Sequence, residues 1–253
     1  DPATGPMVRM VLFTGQNPPR LLIAAHHLIV DGVSWRILLQ DLTTAYRQTT
    51  DNQPIDLGPR TTPFPVWADH LADSARKGRF DDETEHWTSL TETPVDLPRD
   101  LDHPGNGPTA SQHTVSSRLN AETTQALLLQ APQAFRTQVN DLLLAALTHV
   151  LTDWTGHEQL LINLEGHGRE DLFDHMDLSR TVGWFTTMFP VALHHHPDWA
   201  DQIKTTKEIL RTLPHHGLGF GALRYLGTDQ QRTALAGLPT PQISFNYLGR
   251  FDT

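Results

Sequence analysis

Cysteine is absent from all 253 residues. That removes disulfides, thiolate nucleophiles and Cys-ligated metal centres together. Lysine is scarce: Lys77, Lys204 and Lys207 are the only ones. Lys plus Arg number 19 against 29 Asp plus Glu, a formal net charge of −10, and a surface of that sign does not suit a nucleic-acid backbone. No apolar run approaches the roughly 18 residues of a membrane span. The opening Asp1-Pro2-Ala3-Thr4-Gly5-Pro6 carries no signal pattern. Gly-x-Gly-x-x-Gly, the P-loop, Gly-x-Ser-x-Gly and His-Glu-x-x-His are all missing, which excludes the dinucleotide, NTPase, hydrolase-elbow and zincin readings. Gly217, Gly219 and Gly221 do alternate, but they follow Pro214-His215-His216 rather than a strand. The expectation is a cytoplasmic protein with no metal and no resident cofactor.

What is present is enough for a large core: 38% of the residues are hydrophobic and 8% aromatic. Residues 7–13 and 20–25 read as two strands of an antiparallel hairpin, the second buried. A helix follows from about Val33 to Arg47, with Trp35, Leu38, Leu39, Leu42 and Tyr46 on one face. Residues 51–63 form a Pro/Gly loop, and Phe64 to Leu90 is mostly helical with an interruption at Gly78. Residues 91–110 hold four Pro and two Gly and mark a crossover between lobes. Beyond it, His113–Leu119 reads as a strand and 121–130 as a helix stopping before Pro132. Asn140 or Asp141 would cap a long central helix. Gln159–Leu164, Met188–Leu193 and Gln242–Tyr247 read as strands, and Trp199–Leu213 as an amphipathic helix. The irregular alternation implies a two-lobed mixed α/β (α+β) body.

Four places could carry chemistry. His26-His27 with Asp31-Gly32 comes at the end of an apolar strand. Successive side chains point oppositely, so at most one His faces a given cavity. A neutral His suits proton transfer near pH 7. Asp31 either caps the next helix or pairs with an Arg, and Gly32 permits a tight or left-handed turn. Asn163-Leu164-Glu165-Gly166-His167-Gly168-Arg169-Glu170 leaves another strand end. Glu165 there is a candidate base, while Arg169 and Glu170 pair with each other or with neighbours. Gly183 and Trp184, within Arg180–Pro190, mix apolar walls with hydroxyls and suit a tunnel with a close backbone approach. Asn246 and Tyr247 interrupt the last apolar run, so one of them faces a partner or a cavity. His194-His195-His196 reads as a surface loop.

Taken together these segments resemble the condensation-domain superfamily of nonribosomal peptide synthetases. His26-His27-Leu28-Ile29-Val30-Asp31-Gly32 is similar to its His-His-x-x-x-Asp-Gly signature. Glu165–Glu170, Arg180–Thr186, Phe245–Gly249 with Asp252, and Ala134–Leu144 are similar to motifs of the epimerization domains within it. The resemblance implies a two-lobed chloramphenicol acetyltransferase-like sandwich with a tunnel between the lobes. It implies inversion of the α-carbon of an aminoacyl or peptidyl thioester, carried on the phosphopantetheine arm of a peptidyl carrier domain, beside neighbouring synthetase modules. Catalysis would fall to His27, Glu165 and Tyr247. Asp31 would be architectural, and His26, Gly32, Asn163, His167, Arg169, Gly183, Trp184 and Asn246 would support the site or line the tunnel. The family domain is longer than this chain. Residues 1–108 would be the later part of the N-terminal lobe and 109–253 most of the C-terminal lobe. An amide-forming condensation domain and a non-catalytic carrier-docking relative are the competing functions.

Overall fold

The computed structural model describes residues 2–15, 17–100 and 109–249. Strands β1 (Val8–Phe13) and β2 (Arg20–Ala25) pair antiparallel, with Val8 opposite Ala25 and Phe13 opposite Arg20. Helix α1 (Gly32–Thr50) follows a short 3-10 turn, His27–Ile29. The apolar run of β2 suggests a strand covered on both sides. Instead its residues are exposed or half-exposed: apart from the β1–β2 pairing, the described elements make at most sparse contact with the hairpin. The expected apolar stripe of α1 is likewise turned outward: Leu39, Leu42 and Tyr46 are exposed, and the helix buries Ser34 and Ile37.

Helix α2 (Phe64–Arg76) starts on Pro63-Phe64-Pro65, where a missing proline N–H costs nothing. It ends before Gly78, whose φ of +82° is left-handed backbone open to glycine. A 3-10 turn, Asp81–Glu83, leads into α3 (Thr84–Thr88). The strand expected over His113–Leu119 is not formed: the segment is irregular and almost wholly exposed, without a pairing partner among the described residues. The helix expected to stop before Pro132 runs on. α4 (Ala121–Gln125) widens into a π turn, Ala126–Gln130, and continues as α5 (Ala131–Phe135). Pro132, which has no N–H to give to the preceding turn, follows the π turn directly, as the second residue of α5.

Helix α6 (Val139–Thr155) is capped by neither Asn140 nor Asp141. Its N-cap is Gln138, and Asp141 reaches back to accept from the Gln138 N–H at 2.8 Å. Strands β3 (Gln159–Gly166) and β4 (Thr187–His194) pair antiparallel, with Glu165 opposite Met188. After α7 (Trp199–Thr212), α8 (Leu218–Leu226) and α9 (Asp229–Ala236), the last strand shrinks to β5 (Ser244–Phe245), parallel to β3 at Asn163 and Leu164. The sheet order is β4-β3-β5.

One core holds this body together. Leu160, Leu161, Ile162 and Leu164 of β3 and Phe189, Val191 and Leu193 of β4 join Leu144 and Leu151 of α6 and Leu223 of α8. Trp67, Phe80 and Trp87 enter the same cluster from before the crossover. His195 lies under α6, its Nδ1 3.1 Å from Thr152 Oγ1 and its ring 5.5 Å from His149.

Candidate active site

The start of α1 is the organising point. Asp31 is buried, and its Oδ1 accepts from the Ser34 N–H at 2.7 Å as the helix N-cap. Arg169, 138 residues later, donates to both carboxylate oxygens from Nη2, at 2.9 and 3.0 Å. The Phe185 N–H adds a further bond, at 3.1 Å. Both roles open to Asp31, cap and Arg partner, are therefore realised at once. Burial by itself would raise the Asp31 carboxyl. The Ser34 amide and hydroxyl, the Phe185 amide and the Arg169 guanidinium outweigh it and hold the group below the ordinary value of 3.8. Arg169 also donates to Thr181 O at 2.6 Å and lies 4.0 Å from the Phe185 ring centre.

Ser34 is the residue that the sequence alone did not single out. Its hydroxyl donates to Gly183 O at 2.9 Å and accepts from Gly183 N–H at 3.0 Å. The available signal was an Asp-x-x-Ser at a helix start, where a second short polar side chain near the cap has backbone to bind. Gly183 is tied to α1 in this way, and the close approach it permits is to Phe64: a Cβ there would stand 2.5 Å from the Phe64 ring. Gly32 makes no left-handed turn; it is the first residue of α1, with open space around it. Gly168 is the glycine that needs its freedom. Its φ is +67°, and a Cβ would meet Phe185 O at 1.7 Å.

The tether at Gly183 places Trp184 against His27, ring centres 5.1 Å apart and edge to face. Both side chains are exposed. His26 is the N-cap of the 3-10 turn, its Nδ1 accepting from Leu28 N–H at 3.1 Å.

Glu165 stands at the end of β3 in the wall between two cavities. The first, ≈ 390 Å³, lies between the start of α1 and the second part of the chain. It gathers Asp31, Gly32, Glu165, His167, Asn246 and Tyr247. Arg36 closes it, donating to Leu248 O at 2.9 Å. The second, ≈ 440 Å³, shares Gln138, Asn140, Glu165, Gly166 and His167 with the first and extends to Arg136, Glu170, Arg211 and His216. Glu170 does not pair with Arg169. Its Oε1 lies 3.4 Å from His167 Nε2 and its Oε2 4.0 Å from His216 Nε2. The structure thus brings Asp31, Gly32, Glu165, His167, Asn246 and Tyr247 together. His27 and Trp184 are not among the residues lining that cavity, and contact each other outside it, while Asn163 lies in a separate cleft with Met188 and Phe220. Asp252 lies outside the described residues, as do 101–108 of the crossover. Among the described residues no group of three metal-ligating side chains gathers, and no helix is long and apolar enough to cross a membrane.

A signature histidine pair, a glutamate at a strand end and an Asp–Arg hub between two segments of one chain define a class. The chain belongs to the condensation-domain family, whose model matches residues 1–253, with that family's chloramphenicol acetyltransferase-like α/β fold. Within it the likeness is to epimerization domains of nonribosomal peptide synthetases. The crystal structure of the epimerization domain from the third module of tyrocidine synthetase B superposes with a TM-score of 0.88 at 42% identity, over 98% of this chain and 56% of that one. Gramicidin S synthase 1 of Brevibacillus brevis is 41% identical over 252 residues, 98% of this chain and 23% of that protein. Tyrocidine synthase 1 of Brevibacillus parabrevis is 40% identical, again over 98% of this chain and 23% of that protein. The first condensation domain of the calcium-dependent antibiotic synthetase, at 20% identity and a TM-score of 0.68, shares the fold. The chain therefore spans about half of the solved epimerization domain, and far less of the synthetases.

Proposed function

We propose that this chain works within a nonribosomal peptide synthetase as an epimerase of carrier-bound thioesters. The substrate is an aminoacyl or peptidyl group on the phosphopantetheine arm of a peptidyl carrier domain, with neighbouring modules supplying and receiving it. Residues 1–108 supply the later part of one lobe and 109–253 most of the other, with Trp67, Phe80 and Trp87 reaching from the first into the core of the second. The setting is cytoplasmic, with no membrane or nucleic-acid partner. Glu165 carries the reading: a carboxylate facing both of two adjoining cavities is placed to meet a substrate reaching in from either end.

The chemistry balances without an outside reagent. The thioester carbonyl acidifies the α-proton. Glu165 takes that proton, and the C–H electron pair becomes the enolate, with its charge on the thioester oxygen. A proton returns to the opposite face of the α-carbon, the carbonyl re-forms, and L has become D. His27 supplies that second proton or steadies the oxyanion, with Trp184 fixing its ring. Tyr247 positions the thioester on the Glu165 side. Asp31 and Arg169 touch no substrate; they hold α1 and the 181–185 segment at a fixed spacing.

The test is solvent-deuterium exchange and chiral analysis on a loaded carrier, with the chain in its synthetase module. Deuterium at the α-position and a mixture of L and D product are expected. Glu165→Gln should lower the exchange rate at least about 100-fold, the scale of a lost general base. Unchanged exchange removes Glu165 from the mechanism. A new amide bond in place of exchange would mark a condensation domain, and carrier binding without either reaction a docking relative.

A further inference from the structure

Glu83 is a buried carboxylate that the reaction does not use. Its side chain is 2% exposed. It accepts from Trp87 Nε1 at 2.8 Å, and His215 Nδ1 lies 2.5 Å away. His86 is its other titratable neighbour: burial pushes that imidazole below 6.5, against the pull of Glu83. Room for the carboxylate comes from Gly219, where a Cβ would stand 2.1 Å from Glu83 Oε2.

The partner of Glu83 is strained. His215, His216 and Gly217 are three consecutive residues in left-handed backbone, with φ of 40°, 51° and 85°. Left-handed backbone is unfavourable for any residue bearing a Cβ, so two adjacent histidines hold it only when contacts elsewhere impose it. The Phe80 ring, in an edge-to-face contact with His215 at 5.5 Å between centres, and the Glu83 carboxylate are those contacts.

What the turn supports is the wall behind Glu165. Gly217 lies flat on Phe189, where a Cβ would come within 2.2 Å of the ring. The other side of the contact is Gly166, the residue after Glu165: its Cβ would be 3.2 Å from Phe189 Cε1 and 3.9 Å from His216 O. His216 itself lines the second cavity beside Glu170.

We infer that Glu83 is a positioning residue: through His215 it pins the left-handed 215–217 turn, and through that turn it sets the place of Glu165. This rests on the reading of Glu165 as the base. It also gives the alternating glycines a use, since Gly217 admits Phe189 and Gly219 admits Glu83.

The experiment is a double-mutant cycle of Glu83→Gln and His215→Gly in the synthetase module. Glutamine keeps the Trp87 bond and removes the anion. Glycine suits the backbone angle and removes the imidazole. Each single variant should lower kcat for exchange about 10- to 100-fold, the scale of a sub-ångström to ångström misplacement, with KM for the loaded carrier unchanged. The double variant should be no slower than the worse single one. Multiplying losses, or either single variant within about twofold of wild type, would overturn the inference. Circular dichroism and the urea midpoint check folding, and His215→Gly decides the matter if Glu83→Gln does not fold. A readout without substrate runs alongside: the His216 imidazole resonance should shift in both single variants. An absence of exchange in wild type would instead count against the epimerase reading, and the His216 shift would still decide for or against the tether.

Discussion

Among the described residues two antiparallel strand pairs differ in character. In β3–β4, Leu160, Leu161, Ile162, Phe189, Val191 and Leu193 are all at most 4% exposed. In β1–β2, Val8, Met10, Leu12, Phe13, Leu21 and Leu22 are at least 40% exposed. The residue types are the same and the strands are equally regular. A strand sequence therefore reports the capacity for burial; the elements that cover it decide whether it is buried. β3 and β4 have α6, α7 and α8 against them, whereas the described elements cover the hairpin at most sparsely. Val8, Met10, Leu12 and Leu21 share one face of the hairpin, and Phe13 and Leu22 lie on the other.

The largest effect is expected where the two regions meet. Asp31→Ala leaves the Arg169 guanidinium buried and uncompensated, a loss of about 3–5 kcal/mol, read as a drop in urea midpoint. The same carboxylate gives a pH signature. Its folded value is lowered, so the folded state binds fewer protons than the unfolded chain near pH 4. Its stabilisation is complete above the unfolded value of about 3.9 and is lost as pH falls through the folded one. An acid titration of stability should show that limb in wild type and a shallower one in Asp31→Asn.

Next comes the covered sheet. Ile162→Ala removes a fully buried branched side chain and should cost about 2–5 kcal/mol. The uncovered hairpin should give the smallest change. Leu12→Thr and Leu22→Thr face each other's neighbours across β1–β2 and should alter stability by no more than about 0.5 kcal/mol, while improving solubility. A cost like that of Ile162→Ala in these two variants would show that the hairpin is covered in solution, and would erase the contrast.

Periodicity made the regular parts of this fold legible. α1, α7, β3 and β4 lie within a few residues of where apolar spacing puts them. His113–Leu119 misled because alternation without a neighbouring strand has nothing to pair with. The 242–247 run misled by length: only Ser244 and Phe245 find β3. At the site, Asp31, Glu165, His167 and Tyr247 could be singled out because polar groups there interrupt apolar runs or close strand ends. The partner of Asp31 could not, since nothing local ties it to an arginine 138 residues away. Gly217 and Gly219 were visible as a pattern, but their reasons, Phe189 and Glu83, exist only in the folded chain.

The Ser34 hydroxyl both gives a hydrogen bond to Gly183 and receives one from it. A side chain on a helix is thereby imitating one rung of a β-ladder. A sliding of α1 along its own axis would act as a lever on the 183 peptide and carry the Trp184 indole with it, across the face of His27. The His27 imidazole thus answers to the axial position of a helix whose Leu39, Leu42 and Tyr46 are exposed, and whatever settles on that face gains a mechanical hold on the ring.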